Sequence, residues 1–407
     1  MSSQPATGRQ LPEPAPPSSS SEPPASFALT KSPLVCHGHT RPIVDINYSQ
    51  PTPDGLFLAS ASKDGQPQLR NAETGDWIGT FQGHKGAVWS CTLNDTGFIA
   101  ATGSADFTAR VWDATSGDEL AAFPHNHIVR TAAFERGTTA TRLLTGGAEK
   151  IVRVYDLNRP GLSKELASSS LVAPPSPITQ FGPAPDRIRK AMWSMDNRLI
   201  LLSYLDNPGV DVIDLASGQI VRQMGHAEGL TVVSMEFTPC GRYLVTAERE
   251  VEGSGRERKH GGFVKIRDAV TFNVVREVAM GEAYEVHAAS YCPVKGRVVA
   301  GGSDMWVHVY DVRGSEATAE IDCGRGHHGP VHCVRISPDG DRALITSVPE
   351  NPAVWNLGAA VNTFALLVGL WNPPGEIAVY DTDTFELIEK VPAGNMPTIL
   401  AYAGSEG

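Results

Sequence analysis

Gly83-His84-Lys85-Gly86-Ala87-Val88-Trp89 opens a block that continues through Ile99-Ala100-Ala101-Thr102 and Asp106 and closes at Val111-Trp112-Asp113. In order, this is a turn, an alternating apolar strand, a second strand ending in a hydroxyl residue, an acidic turn and a strand ending in aromatic-Asp. The closing dipeptide returns at Tyr155-Asp156, Ile213-Asp214, Arg267-Asp268 and Tyr310-Asp311, and Trp355-Asn356 is a degraded copy. The steps between positions 113, 156, 214, 268, 311 and 356 are 43, 58, 54, 43 and 45 residues. A finer ruler runs inside the block. The acidic turn residue precedes the closing residue by six positions in Asp106 to Trp112, Glu149 to Tyr155 and Asp304 to Tyr310. Asp64 to Arg70 obeys it too, which reveals a first unit although Arg70-Asn71 replaces the usual ending.

A period of about 40–45 residues with Gly-His and Trp-Asp marks is that of a WD-repeat β-propeller blade. Seven units open near His39, His84, His127, Ile188, His226, Val286 and His328. The expected fold is all-β: a seven-bladed WD-repeat β-propeller with a disordered N-terminal extension and an irregular last blade. The expected division is a Pro/Ser-rich extension at 1–31, the propeller at 32–358 and an atypical C-terminal segment at 359–407 that completes or extends the last blade. A blade buries its apolar faces only between neighbours, so the ring must close. Leu34-Val35-Cys36 is the candidate closing strand. The two long steps mark insertions, a Ser/Pro-rich loop at 160–186 and an enlarged hairpin at 249–262. Val348-Pro349-Glu350-Asn351-Pro352 stands where the last unit should have a turn, and Ile377-Ala378-Val379-Tyr380-Asp381 reads as a surplus closing strand.

Composition narrows the function. With 45 acidic against 34 basic residues among 407, the net charge is −11, which argues against a sequence-specific nucleic-acid binder and for protein partners. Six scattered cysteines with no Cys-x-x-Cys pair argue against zinc fingers and a disulfide framework. The longest apolar run, 357–371, is interrupted by Asn362 and too short for a membrane span, and no signal-peptide core is seen in 1–31. Glycines sit in hairpin turns such as Asp54-Gly55, Asp64-Gly65 and Asp339-Gly340 rather than in a phosphate loop.

His84, Thr102, Asp106 and Trp112 combine a histidine, a hydroxyl and a carboxylate, as a hydrolase triad does. The set recurs from blade to blade, however, and no Gly-x-Ser-x-Gly elbow presents a nucleophile. Carboxylate, imidazole, hydroxyl and indole are therefore read as a buried hydrogen-bonded chain that stiffens the blade. The cluster His327, His328, His332 and Cys333 invites a metal reading. Adjacent strand residues point to opposite faces, so His332 and Cys333 do not both face one ion without a bulge. His125 and His127 share a side, but no third ligand lies near in sequence. No catalytic residue, metal or cofactor is expected, and the chain reads as a non-enzymatic scaffold.

A more specific match lies in Gly38-His39-Thr40-Arg41-Pro42-Ile43-Val44-Asp45, in Gly75-Asp76-Trp77-Ile78-Gly79-Thr80-Phe81, and in the unit beginning Gly83-His84. It continues in Ser116-Gly117-Asp118-Glu119-Leu120, His127-Ile128-Val129-Arg130-Thr131, Leu143-Leu144-Thr145-Gly146-Gly147, Tyr155-Asp156-Leu157-Asn158 and His328-Gly329-Pro330-Val331-His332-Cys333-Val334-Arg335. These closely resemble the serine/threonine kinase receptor-associated (Unr-interacting) family of WD-repeat proteins. The first unit, with Pro67, Leu69 and Arg70 before the break, is the most specific part. The resemblance implies a subunit of the survival-of-motor-neuron complex, which loads Sm-protein rings onto spliceosomal small nuclear RNAs and so supports mRNA splicing. It further implies Sm proteins as partners, a monomeric propeller inside a larger complex, a cytoplasmic location with the nucleus as a second, and no membrane.

Two other interaction roles are weighed. The resemblance also implies an adaptor in transforming-growth-factor-β receptor kinase signalling. Tyr310-Asp311-Val312-Arg313 resembles the Trp-Asp-x-Arg box of cullin ubiquitin-ligase substrate receptors, which makes Arg313 a candidate contact. The remaining candidate partner-binding residues, expected to be exposed, are Lys63, Arg70, Trp77, Lys85, Trp89 and Arg130, because Trp and Arg are frequent anchors, although Trp89 fits the core equally well.

Overall fold

The computed structural model describes residues 34–35 and 38–356, apart from 138–140, 159–175, 227–229, 253–258, 281–284, 314–318, 326–329, 339–341 and 348–352; it also describes 366–369, 376–380 and 387–392. The extension at 1–31, Cys36, His327, His328, most of the Ser/Pro-rich insertion and the 348–352 turn lie outside the described residues.

Six blades are each a four-stranded antiparallel sheet of consecutive strands, spanning residues 43–80, 88–124, 129–181, 188–224, 230–280 and 286–325. The expectation of seven such units is corrected to six complete blades. The last unit supplies only three strands, Val331–Ile336, Arg342–Ser347 and Ala353–Asn356, and an open outer edge would leave unpaired backbone groups. Leu34–Val35 pairs with that edge, Leu34 opposite Val354 and Val35 opposite Ala353, so the two ends of the propeller share one closing sheet. Its inner strand Val331–Ile336 packs between the inner strands of blades six and one. Leu366–Gly369, Glu376–Tyr380 and Leu387–Pro392 form a separate three-stranded sheet. No helix occurs among the described residues.

The core is divided among the spaces between blades. Ala59, Ala61, Leu69 and Phe81 of blade one meet Val88, Cys91, Ala100 and Trp112 of blade two. Ala101, Val111 and Phe123 of blade two meet Val129, Leu143 and Tyr155 of blade three. A middle strand is therefore covered on both faces: Ile99–Ser104 and Arg142–Gly147 are buried at every position after the first. That is why these strands read as continuous runs of apolar and small residues rather than as an alternation.

The acidic-turn ruler has a conformational basis. The residue after the acid is left-handed in each case: Gly65 at φ 82°, Phe107 at 67°, Lys150 at 65° and Met305 at 68°. A tight turn of fixed shape sets the distance to the closing residue. Just before that turn, at the end of the middle strand, space dictates glycine. A Cβ on Gly147 would fall on the Ile128 carbonyl oxygen, and one on Gly103 would sit 3.0 Å from Val129 Cγ1 of the next blade. Gly147→Ala is expected to destabilise the protein by about 1–3 kcal/mol, because backbone rather than a flexible side chain must give way. A urea midpoint equal to wild type would contradict this.

Candidate functional site: the blade networks and the channel mouth

His84 sits at the blade-two entrance, where its imidazole lies 2.8 Å from Asp106 Oδ2 and 2.7 Å from Thr102 Oγ1. The indole N–H of Trp112 donates to the same hydroxyl at 2.9 Å. All four side chains thus lie in one chain inside the blade, where these polar groups satisfy one another. Blade one repeats the beginning, with His39 2.8 Å from Asp64 and 2.7 Å from Ser60. Arg70 then fills the position of Trp112. It is 4% exposed and donates to Gln68 Oε1 at 2.7 Å and to the Gly75 carbonyl at 3.1 Å. The expectation of an exposed Arg70 is corrected, because the six-residue ruler places it in the slot of the buried tryptophan.

In blade three the network imidazole is His125, not the His127 taken to open that unit. His125 Nδ1 donates to the Phe123 carbonyl at 2.9 Å, and Nε2 accepts from the Thr145 hydroxyl at 2.9 Å. Glu149, one methylene longer than Asp106, pairs instead with both terminal nitrogens of Arg153, at 2.7 and 2.6 Å. Burial, then the nearby Arg153, pushes His125 down to about 4, against the pull of the Phe123 carbonyl. A histidine held neutral in the fold contributes stability that is present above its ordinary value near 6.5 and is lost as pH falls from there to about 4. His125→Gln is expected to flatten the fall of stability across that window, by up to about 3 kcal/mol at its lower end. Unfolding curves collected between those pH values that superimpose in slope on wild type would contradict the assignment.

The channel along the ring axis encloses a cavity of about 520 Å³. Its wall is built by a device shared by all seven inner strands, a β-bulge near the start of the strand, after its first residue in six of them and after the third, Val232, in blade five. The extra residue is Val44, Trp89, Arg130, Arg189, Val233 and His287 in blades one to six, and His332 in the closing sheet. All seven line the channel. The residue after the bulge returns to the sheet and can bridge blades: Ser90 Oγ accepts from the Ala132 N–H at 2.9 Å, and Thr131 Oγ1 donates to the Ala191 carbonyl at 3.0 Å.

Three candidate contact residues from distant sequence positions converge there. Arg130 stacks on Trp89, its guanidinium carbon 4.3 Å from the ring centroid, and Lys63 Nζ lies 5.6 Å from the same centroid. Burial, then Arg130 and Arg249, pushes Arg189 down to about 10, which still leaves it charged at neutral pH. His287 and His332 stack with centroids 5.4 Å apart and planes 6° from parallel. Burial in the channel, with His287 and Lys63 nearby, pushes His332 down to about 4. Cys333 instead packs beside Ile43 and Leu58, and among the described residues no group of three or more His, Cys, Asp or Glu is placed to hold a metal.

The other candidates stand apart from the channel. Trp77 is 60% exposed on the outer strand of blade one, with its indole donating to Thr80 Oγ1 at 3.1 Å. Lys85 is exposed, and its backbone N–H donates to Asp106 at 3.0 Å. Arg313 is exposed and paired with Asp311. The channel positions Arg189, Arg249, His287 and His332 were not singled out as contacts from sequence. One signal marks the bulged ones: each follows the Val or Ile that starts an inner strand, as in Val88-Trp89, Ile188-Arg189 and Val331-His332.

A profile for the WD domain, G-beta repeat, matches residues 30–68 and 75–113. The chain is 41% identical over 388 residues to the serine-threonine kinase receptor-associated protein of Homo sapiens, covering 93% of this chain and 99% of that one. It is 40% identical over 325 residues to the protein of the same name from Dictyostelium discoideum, covering 80% of this chain and 99% of that one. Similarity also extends, at 24% identity over 320 residues, to eukaryotic translation initiation factor 3 subunit I of Schizosaccharomyces pombe, covering 76% of this chain and 91% of that one.

Proposed function

This chain belongs to the serine-threonine kinase receptor-associated protein family, and from that premise we propose that it is a subunit of the survival-of-motor-neuron complex that assists Sm-ring assembly on small nuclear RNAs. The fold and the names of the relatives point to a non-catalytic interaction protein. The observation that carries the scaffold reading is the distribution of its polar side chains. The histidine, carboxylate and hydroxyl groups of the triad-like sets are bonded to one another inside blades, as in His84, Asp106 and Thr102. Exposed turns and the channel mouth remain for partners. The family resemblance supports the specific complex, a single propeller per assembly, and a cytoplasmic and nuclear location.

Affinity purification of the full chain from its own cells tests the proposal. Sm proteins and the survival-of-motor-neuron protein are expected to co-purify, and their absence from a clean purification would sink it. The relatives' shared name favours a second reading, an adaptor on a serine/threonine receptor kinase. Recovery of such a kinase in the same purification would support that reading. A cullin-adaptor role rests on the exposed Arg313, and adaptor binding unchanged by Arg313→Ala would remove it.

A further inference from the structure

The rim of the channel concentrates positive charge in a protein whose net charge is −11. Lys63, Arg130 and Arg189 gather there, with Arg187 acting on Arg130 and Arg249 acting on Arg189. The carboxylates nearby are Glu285, 3.1 Å from Arg249, Asp206, 2.5 Å from Arg187, and Asp186, 3.9 Å from Arg187. Among the described residues, these five cations against three carboxylates leave an excess of two positive charges. Among the described residues, two buried donors at this rim, Trp89 Nε1 and Arg249 Nε, have no hydrogen-bond acceptor. A buried donor without an acceptor is unfavourable, and an incoming oxygen relieves it.

We propose that this mouth binds a phosphoryl dianion carried on a protein side chain, a phosphoserine or phosphothreonine in a segment of a partner. The charge excess matches the charge of about −1.5 to −2 on such a group at neutral pH. The Arg130 guanidinium, seated over the indole of Trp89, offers the planar fork suited to phosphate oxygens. Recessed cations on bulged residues are reachable by one side chain. A nucleic-acid backbone, with its closely spaced charges, needs a basic stripe along the surface instead. The inference goes beyond the scaffold reading and does not depend on which complex the scaffold joins.

The test uses the full chain and a degenerate peptide library with one fixed central phosphoserine. Matched libraries carry serine or glutamate at that position, and inorganic phosphate and a short oligouridylate are further probes. The phosphoserine library is expected to be retained at least about tenfold better than either matched library, and to be displaced by inorganic phosphate. Arg130→Gln and Lys63→Gln are each expected to weaken that retention about tenfold while leaving the unfolding midpoint unchanged. Equal retention of the phosphoserine and serine libraries overturns the proposal, as does a preference that survives both substitutions. Equal retention of the glutamate library overturns the dianion requirement. Binding of free phosphate without the peptides shows an adventitious anion only, and tighter binding of the oligouridylate assigns the mouth to nucleic acid. None of these outcomes bears on whether Sm proteins co-purify, so the two proposals fail separately.

Discussion

Arg335→Leu is expected to lower the free energy of unfolding by about 3–5 kcal/mol, read as a fall in the urea midpoint. Arg335 lies on the inner strand of the closing sheet, and its guanidinium spans two other blades. It approaches Glu236 of blade five at 2.9 Å and Asp45 of blade one at 3.6 Å. Both carboxylates have further ties. Glu236 accepts from Ser290 of blade six, and Asp45 accepts from the Cys91 N–H of blade two at 3.4 Å. Burial works against the guanidinium charge, but the surrounding anionic groups outweigh it and hold Arg335 protonated. Burial likewise pushes the Glu236 carboxyl up, and Arg335 pulls it back. Leucine would remove the counter-charge and leave two carboxylates facing a low-dielectric wall, which is far worse than never having had the pair. The sheet at stake is the one assembled from both ends of the propeller, so the loss should open the ring there first. Arg335→Lys keeps the charge without the fork and should fall between the two. A leucine variant within about 0.5 kcal/mol of wild type would mean that closure rests on the apolar contacts of Ile43, Ile46 and Cys333 instead.

The repeat was legible in the sequence because it is enforced at every copy by local geometry. The left-handed residue after Asp64, Asp106, Glu149 and Asp304 fixes the hairpin, and the hairpin fixes the six-residue step. Blade count was harder to read. Counting openings yields seven, but an opening does not say how many strands follow, and the last unit has only three in series. His125 and His127 could not be told apart, since both are compatible with a strand-like stretch and only the register of the entering turn brings His125 to Thr145. Arg70 was misplaced for a different reason: charge suggested the surface, while its position in the ruler required the interior. The channel lining was the least legible. A bulge breaks the two-residue alternation on which strand reading rests, so Trp89, Arg130 and Arg189 fall on a face that simple alternation does not assign. The bulge joins distant positions into one rim, and no spacing in the linear sequence announces that.

Blade five shows what happens when the closing aromatic is replaced by a charge deep in the sheet, and it carries the second large expectation. Arg267 occupies the closing position there and is 7% exposed. Glu248, 1% exposed, meets it at 2.9 Å, meets Lys265 Nζ at 2.7 Å and accepts from the Thr246 hydroxyl at 3.1 Å. Two cations thus share one buried carboxylate, whereas blade one solves the same substitution with neutral acceptors around Arg70. Glu248→Ala strands Arg267, leaves Lys265 only the half-exposed Glu277 at 3.8 Å, and is expected to lower the free energy of unfolding by about 3–5 kcal/mol. Replacing the whole group, with Glu248→Leu, Lys265→Met and Arg267→Leu together, should recover most of that loss, because apolar side chains of similar volume carry no desolvation penalty. The pattern separates two accounts of the network. If the ion group itself supplied the stability, the triple variant would be worse than Glu248→Ala. If the demand is only that buried charge be matched, the triple variant approaches wild type, and the charge in blade five is a tolerated departure from the aromatic ending rather than a device for strength.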